Sequence, residues 1–229
     1  MVMLDVRAPL AVKIIDANPH AYEKLVVEGG TPALAHEMLD GVQPEQLLSR
    51  PTASPVAAFA MLAGLWLWHD GLDECHKIAQ KSPEELHHSA LNLHSKAPEM
   101  CENGGSMQSM ENSKTINHLE LQQMTSTLSF WHAIMHRREG DFSNSKYWYA
   151  RAAGHPSLPS LAAAAADLVK RAPADKALLR LIMSGWNANA FVDLVEAVEG
   201  NEADNRRDIA VQLQKLEWNI LFESCARAG

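Results

Sequence analysis

The sequence predicts an all-α fold, a single domain of about ten helices arranged as an irregular bundle of packed helical hairpins. Three observations carry that expectation. Helix-start and helix-stop punctuation recurs along nearly the whole chain, with a capping residue before proline or an acidic residue and glycine at the close. After residue 16 there is almost none of the apolar/polar alternation that a half-buried strand needs. Finally, 47% hydrophobic residues in a chain of 229 can fill one substantial core.

Taken in order, residues 5 to 16 carry β-branched side chains without clean alternation, so an extended lead-in or a strand is expected there. Asn18-Pro19 reads as N-cap and first helical position, with Gly29-Gly30 as the stop. Thr31-Pro32 restarts a helix that Gly41 ends, Gln43 to Ser49 add a turn or two, and Pro51 and Pro55 bracket a linker. Ser54-Pro55 then opens an apolar helix to Trp68, after which Gly71 marks a turn or kink before LDECHKIAQ. Ser82, Pro83 and Glu85 make a capping box for a polar helix to about Ala97. Residues 98 to 117 hold two adjacent glycines, many Ser and Asn and no period, which predicts a flexible loop of the kind that is often functional.

His118 to Arg138 form a long helix with an apolar face through Leu121, Met124, Leu128, Trp131 and Met135, stopped by Gly140. Asp141 caps the next helix, which ends at Gly154-His155-Pro156. Segments 161–171, 174–182, 187–199 and 203–227 complete the series.

Composition narrows the function. A net charge of -8 and a pI near 5.7 leave no extended basic surface for a phosphate backbone, so nucleic acid is not an expected partner. Cys75, Cys101 and Cys225 are odd in number and far apart, which points to a reducing, cytoplasmic setting rather than a disulfide framework. Asp5, Arg7 and Lys13 interrupt the N-terminal apolar run that a signal peptide would need. The longest apolar run, 56–68, is short of a bilayer span, so no membrane association is expected.

Chemistry concentrates in two rows. His132, His136 and Glu139 fall at i, i+4 and i+7 on one helix face, and His69, Asp73 and His76 repeat that spacing provided that Gly71 does not break the helical phase. Facing each other, the rows would offer His69, Asp73, His76, His132, His136 and Glu139 as ligands to a divalent metal, with the four histidines also available for acid/base work on a bound water. With 11 histidines in the chain, roughly half a His-x-x-x-His pair arises at random, and a structural hydrogen-bond network or a solvated face explains the same residues. Glu84-x-x-His87 and Glu85-x-x-His88 have the spacing of a di-iron motif but read better as helix-start residues.

Arg137, Arg138, Lys146, Asn144 and Tyr147 cluster about the same turn and are candidates for binding a small-molecule substrate, an anionic one for the basic groups. Ion pairing is the competing use for the cations and capping for Asn144. Tyr147, Trp148 and Tyr149 are consecutive and cannot all face one way on a helix.

The run REGDFSNSKYWYARA, residues 138 to 152, resembles the middle of a tetratricopeptide repeat, with Gly140 at the turn and Tyr149 and Ala152 at the aromatic and small positions. No second copy follows, so the resemblance implies one helical hairpin rather than an array. HDGLDECH, WHAIMHRREGD and NSKYWYARAAGHP together resemble an uncharacterised group of bacterial and fungal proteins. That likeness implies only that the three stretches share a site or a core. Two functions are therefore expected to compete: a metal-dependent enzyme using the histidine rows, and a non-catalytic helical scaffold binding a protein or small ligand near residues 146 to 149.

Overall fold

The structure is a computed structural model that describes residues 9–48, 54–94 and 118–228. It is all-α, with eleven α-helices and one 3-10 turn among the described residues. The order is α1 (Pro9–Asp16), α2 (Ala33–Leu39), the 3-10 turn (Pro44–Leu47), α3 (Pro55–Trp68), α4 (Leu72–Ala79), α5 (Pro83–His94), α6 (His118–Glu139), α7 (Phe142–Arg151), α8 (Leu158–Arg171), α9 (Lys176–Arg180), α10 (Ala188–Val198) and α11 (Arg207–Ala228). The expected loop at 98–117 and the linker after Pro51 lie outside the described residues.

Helix α3 is apolar on every side, and a helix of that kind must be surrounded. It packs against α1, α2, the 3-10 turn, α4, α5, α6 and α11. Gly64 is what lets two of these neighbours in: a Cβ there would lie 2.7 Å from the Trp131 ring of α6 and 3.1 Å from Phe222 of α11. A second cluster of apolar side chains joins α8, α9, α10 and α11, and Phe142, Trp186 and Leu216 pack against both.

Among the described residues, the α6–α7 hairpin makes the most extensive helix–helix contact, with α4 laid against α6 and α10 against α7. Its turn follows from three residues. Gly140 takes φ +86°, a conformation that costs a side chain dearly, and the Asp141 carboxylate accepts from the Asn144 backbone N–H at 3.0 Å to cap α7. The Ser82–Glu85 capping box is also present, with both reciprocal bonds formed (2.7 and 3.2 Å).

Two early segments differ from expectation. Residues 9–16 are helical rather than extended, because Pro9 starts a turn that buries Ala11 and Ile14 on one side. Residues 18–29 are not a helix. Tyr22 sits at φ +60°, and carbonyls of this stretch are taken by distant side chains: Gln214 donates to Tyr22 and Lys24 at 2.8 Å each, and Arg138 to Lys24. Partners from α6 and α11 thus replace the bonds that a helix would have made for itself.

Candidate metal centre

The two histidine rows meet, but only in part. His76 of α4 and His132 and His136 of α6 bring one ligand atom each to within 4.8 Å of one another. The His132 and His136 rings are stacked at 4.7 Å, as four-residue spacing on a continuous helix dictates, and the His76 ring stands edge-on to them at 4.8 and 5.6 Å. His132 and His136 are buried and His76 is half-buried, so the cluster opens at the α4 side.

His69 is not in this group. The turn after α3 puts Asp70 at φ +61° and begins α4 at Leu72, so the helical phase that linked His69 to Asp73 and His76 is broken. The buried His69 ring instead donates through Nε2 to the Ile14 carbonyl (2.8 Å), and burial lowers its pKa. Asp73 is exposed and lines a cavity of about 120 Å³ together with Val27, Thr31, Asp70, Leu72 and Glu139. Glu139 thus touches both features: it borders this cavity, and its Oε1 accepts from His136 Nδ1 at 2.5 Å. His136, Glu139 and Asp141 form a second group with ligand-type atoms within 4.8 Å.

Three observations separate His132 from an ordinary core histidine. It is 3% exposed, yet neither ring nitrogen has a hydrogen-bond partner. Trp148 of α7 lies parallel on it at 3.9 Å and shields it from water. Burial first, and then the neighbouring His136 and His76, push its pKa down to about 3, so the ring is neutral with a lone pair available. His136, by contrast, is held on its Nδ1 side by Glu139, with the Asn144 amide nitrogen 3.0 Å from Nε2.

The basic candidates do not form a substrate grip. Arg137 is fully buried, paired with Glu217 of α11 at 2.7 Å, hydrogen-bonded to the Tyr149 hydroxyl and stacked 4.4 Å over Phe191. Arg138 is also fully buried; it donates to Asp70 (2.7 Å) and the Leu67 carbonyl (2.8 Å) and lies 4.0 Å over the Tyr22 ring. Lys146 is ion-paired with Asp193 of α10 (2.5 Å). Tyr147, 55% exposed, faces outward beside Arg151 and makes an edge contact with Trp148. Of the five candidate substrate-binding residues, Asn144 alone touches an imidazole of the cluster. His87 and His88 belong to neither metal-type group, and His88 is bonded to the Glu84 carbonyl.

Sequence reasoning missed Trp148 as a wall of the site. A signal existed: Asn144 and Trp148 are four apart on α7, as His132 and His136 are on α6, so each pair presents one face across a tight hairpin. A cavity of about 680 Å³ between the start of α6 and the α7–α8 loop is lined by residues such as Gln122, Arg151 and Pro156 and contains none of these imidazoles.

The fold and site together define an all-α protein with a cluster of three histidines, two of them buried, beside exposed carboxylates, that could hold a metal ion. No family model, curated protein or solved structure matches the chain. Among the described residues no helix is long and apolar enough to cross a membrane.

Proposed function

We propose that the protein is a metal-dependent enzyme that holds one divalent ion on His76, His132 and His136. The observation that carries this is His132, a buried imidazole with no partner on either nitrogen beside two further imidazoles. Leaving a buried polar group unsatisfied costs roughly 1–3 kcal/mol, and a bound ion would remove that cost. Three imidazoles suit zinc or a neighbouring late first-row ion, and three protein ligands leave a fourth position for water. The Glu139 contact on His136 Nδ1 is the carboxylate–histidine pairing that orients a ligand ring and leaves Nε2 for the metal. The chemistry available is activation of that water, with a small molecule reaching it from the α4 side, where His76 is half-buried. The buried free thiols Cys75 and Cys225 support a cytoplasmic location.

The scaffold reading draws on the exposed Tyr147 and Arg151 surface, and there the imidazoles would serve only as a structural network. Elemental analysis separates the two. The expected result is about one transition-metal ion per chain in protein loaded with zinc and desalted, lost in His132→Ala and His76→Ala. Metal-free wild-type protein after loading, with both variants merely melting lower, would overturn the enzyme in favour of the network.

A further inference from the structure

We infer that the open position of this centre is a small-anion position, with the Asn144 amide donating to the bound anion and the Trp148 ring walling it beside His132. The inference rests on the metal-centre reading above. Asn144 and Trp148 share one face of α7 and lie against His136 and His132 respectively. The amide nitrogen of Asn144 is 3.0 Å from Nε2 and 3.4 Å from Nδ1 of His136. A single carbon, Cε1, separates those ring nitrogens. A group nearly equidistant from both therefore stands over the ring face, off the in-plane axis along which Nε2 would bind a metal. Asn144 accordingly leaves that lone pair free while standing directly beside the donor set.

A primary amide nitrogen carries two N–H groups and no lone pair for a metal. Towards an atom bound at the fourth position it can only donate, and a fixed donor beside a cation favours a ligand that bears negative charge. One oxygen of each nearby carboxylate is engaged: Asp141 Oδ1 accepts from Ser143 and from the Asn144 backbone, and Glu139 Oε1 accepts from His136. Trp148 stacks on His132 at 3.9 Å and the Asn144 amide stands 3.0 Å from His136, so the α7 side is closed to a bulky ligand. Hydroxide, azide and a carboxylate oxygen are small anionic ligands.

The test uses the full chain loaded with cobalt(II), with azide as the probe and the visible ligand-field bands as the readout at one fixed pH. Wild type is expected to show saturable azide binding. Asn144→Ala should keep its cobalt stoichiometry and weaken azide about tenfold, the worth of one hydrogen bond to a charged group. Asn144→Asp, which cannot donate and repels an anion, should weaken azide further; Asn144→Leu, which also lacks a donor, provides the same comparison if the alanine variant does not fold. Unchanged azide affinity in Asn144→Ala or Asn144→Leu with cobalt bound overturns the inference alone, as does a wild-type cobalt spectrum that azide leaves unaltered. Failure of the wild-type chain to take up cobalt overturns the metal centre itself and the inference with it.

Discussion

Helix α6 carries two adjacent pairs of polar residues that are handled in opposite ways. Arg137 and Arg138 are both fully buried, and each is matched by a carboxylate and an aromatic face, Glu217 with Phe191 for one and Asp70 with Tyr22 for the other. One turn earlier, His132 is almost as deep and has no hydrogen-bond partner, while His136 is held by a carboxylate on Nδ1. Charges that serve the fold are paired at the point of burial, because an unpaired charge in the interior would unfold a marginally stable domain. A neutral imidazole can be left unpaired at a cost the fold can bear, and such a group is free to take a ligand.

The comparison breaks most sharply at the arginine end. Arg137→Ala is expected to destabilise the chain by about 3–5 kcal/mol, because it strands the Glu217 carboxylate in the core. Urea or guanidinium unfolding measures this, and a loss under about 1 kcal/mol would mean that the pair is not the structural element described. Replacing both partners, as in Arg137→Met with Glu217→Gln, should recover much of the loss. Metal uptake should persist in the double variant, since neither residue touches an imidazole of the cluster.

At the histidine end the largest effect is linkage to the ion. Zinc at about 100 times its Kd should raise unfolding free energy by about 2.7 kcal/mol, and the gain should vanish in His132→Ala. Thermal melts with zinc and with chelator test it; an equal rise in the variant would place the ion elsewhere.

Acid should then act on the buried histidines in a defined direction. His155 accepts from Ser157 (2.7 Å) and pairs with Thr127 (3.0 Å), and burial pushes its pKa down to about 4, against an ordinary 6.5. The unfolded chain therefore binds a proton that the folded chain refuses, and stability falls as pH drops from 6.5 towards 4, by up to about 1.4 kcal/mol per pH unit for each such histidine. His132, with its pKa pushed down to about 3, adds to the slope in metal-free protein. His155→Gln should remove one proton from the measured dependence; a slope that does not change would show that the ring is charged in the fold.

The smallest effect is the most diagnostic. His132→Leu deletes an unsatisfied buried group, so metal-free protein should hold its stability or gain roughly 1 kcal/mol while losing the ion. A loss of 2 kcal/mol or more in the metal-free variant would make His132 a structural residue like its arginine neighbours.

What the sequence determines by itself here is local. Capping chemistry placed the starts of α5 and α7, because a Ser or Asp oxygen satisfies a backbone N–H only two or three residues away. Four-residue spacing put His132 and His136 on one face, since nothing interrupts α6 between them. The tertiary structure decided everything that crosses a break or a long interval. One left-handed residue, Asp70, removed His69 from the row that His76 joined, because helical phase does not survive a turn. Arg138 looked available to a substrate until Asp70, 68 positions away in the chain, enclosed it. The stretch 18–29 has the punctuation of a helix, yet distant Gln214 and Arg138 donors offered its carbonyls a better arrangement. Local periodicity sets where a side chain points within its own helix. Only packing decides what stands opposite it, and in this protein that is what separates a satisfied charge from an open imidazole.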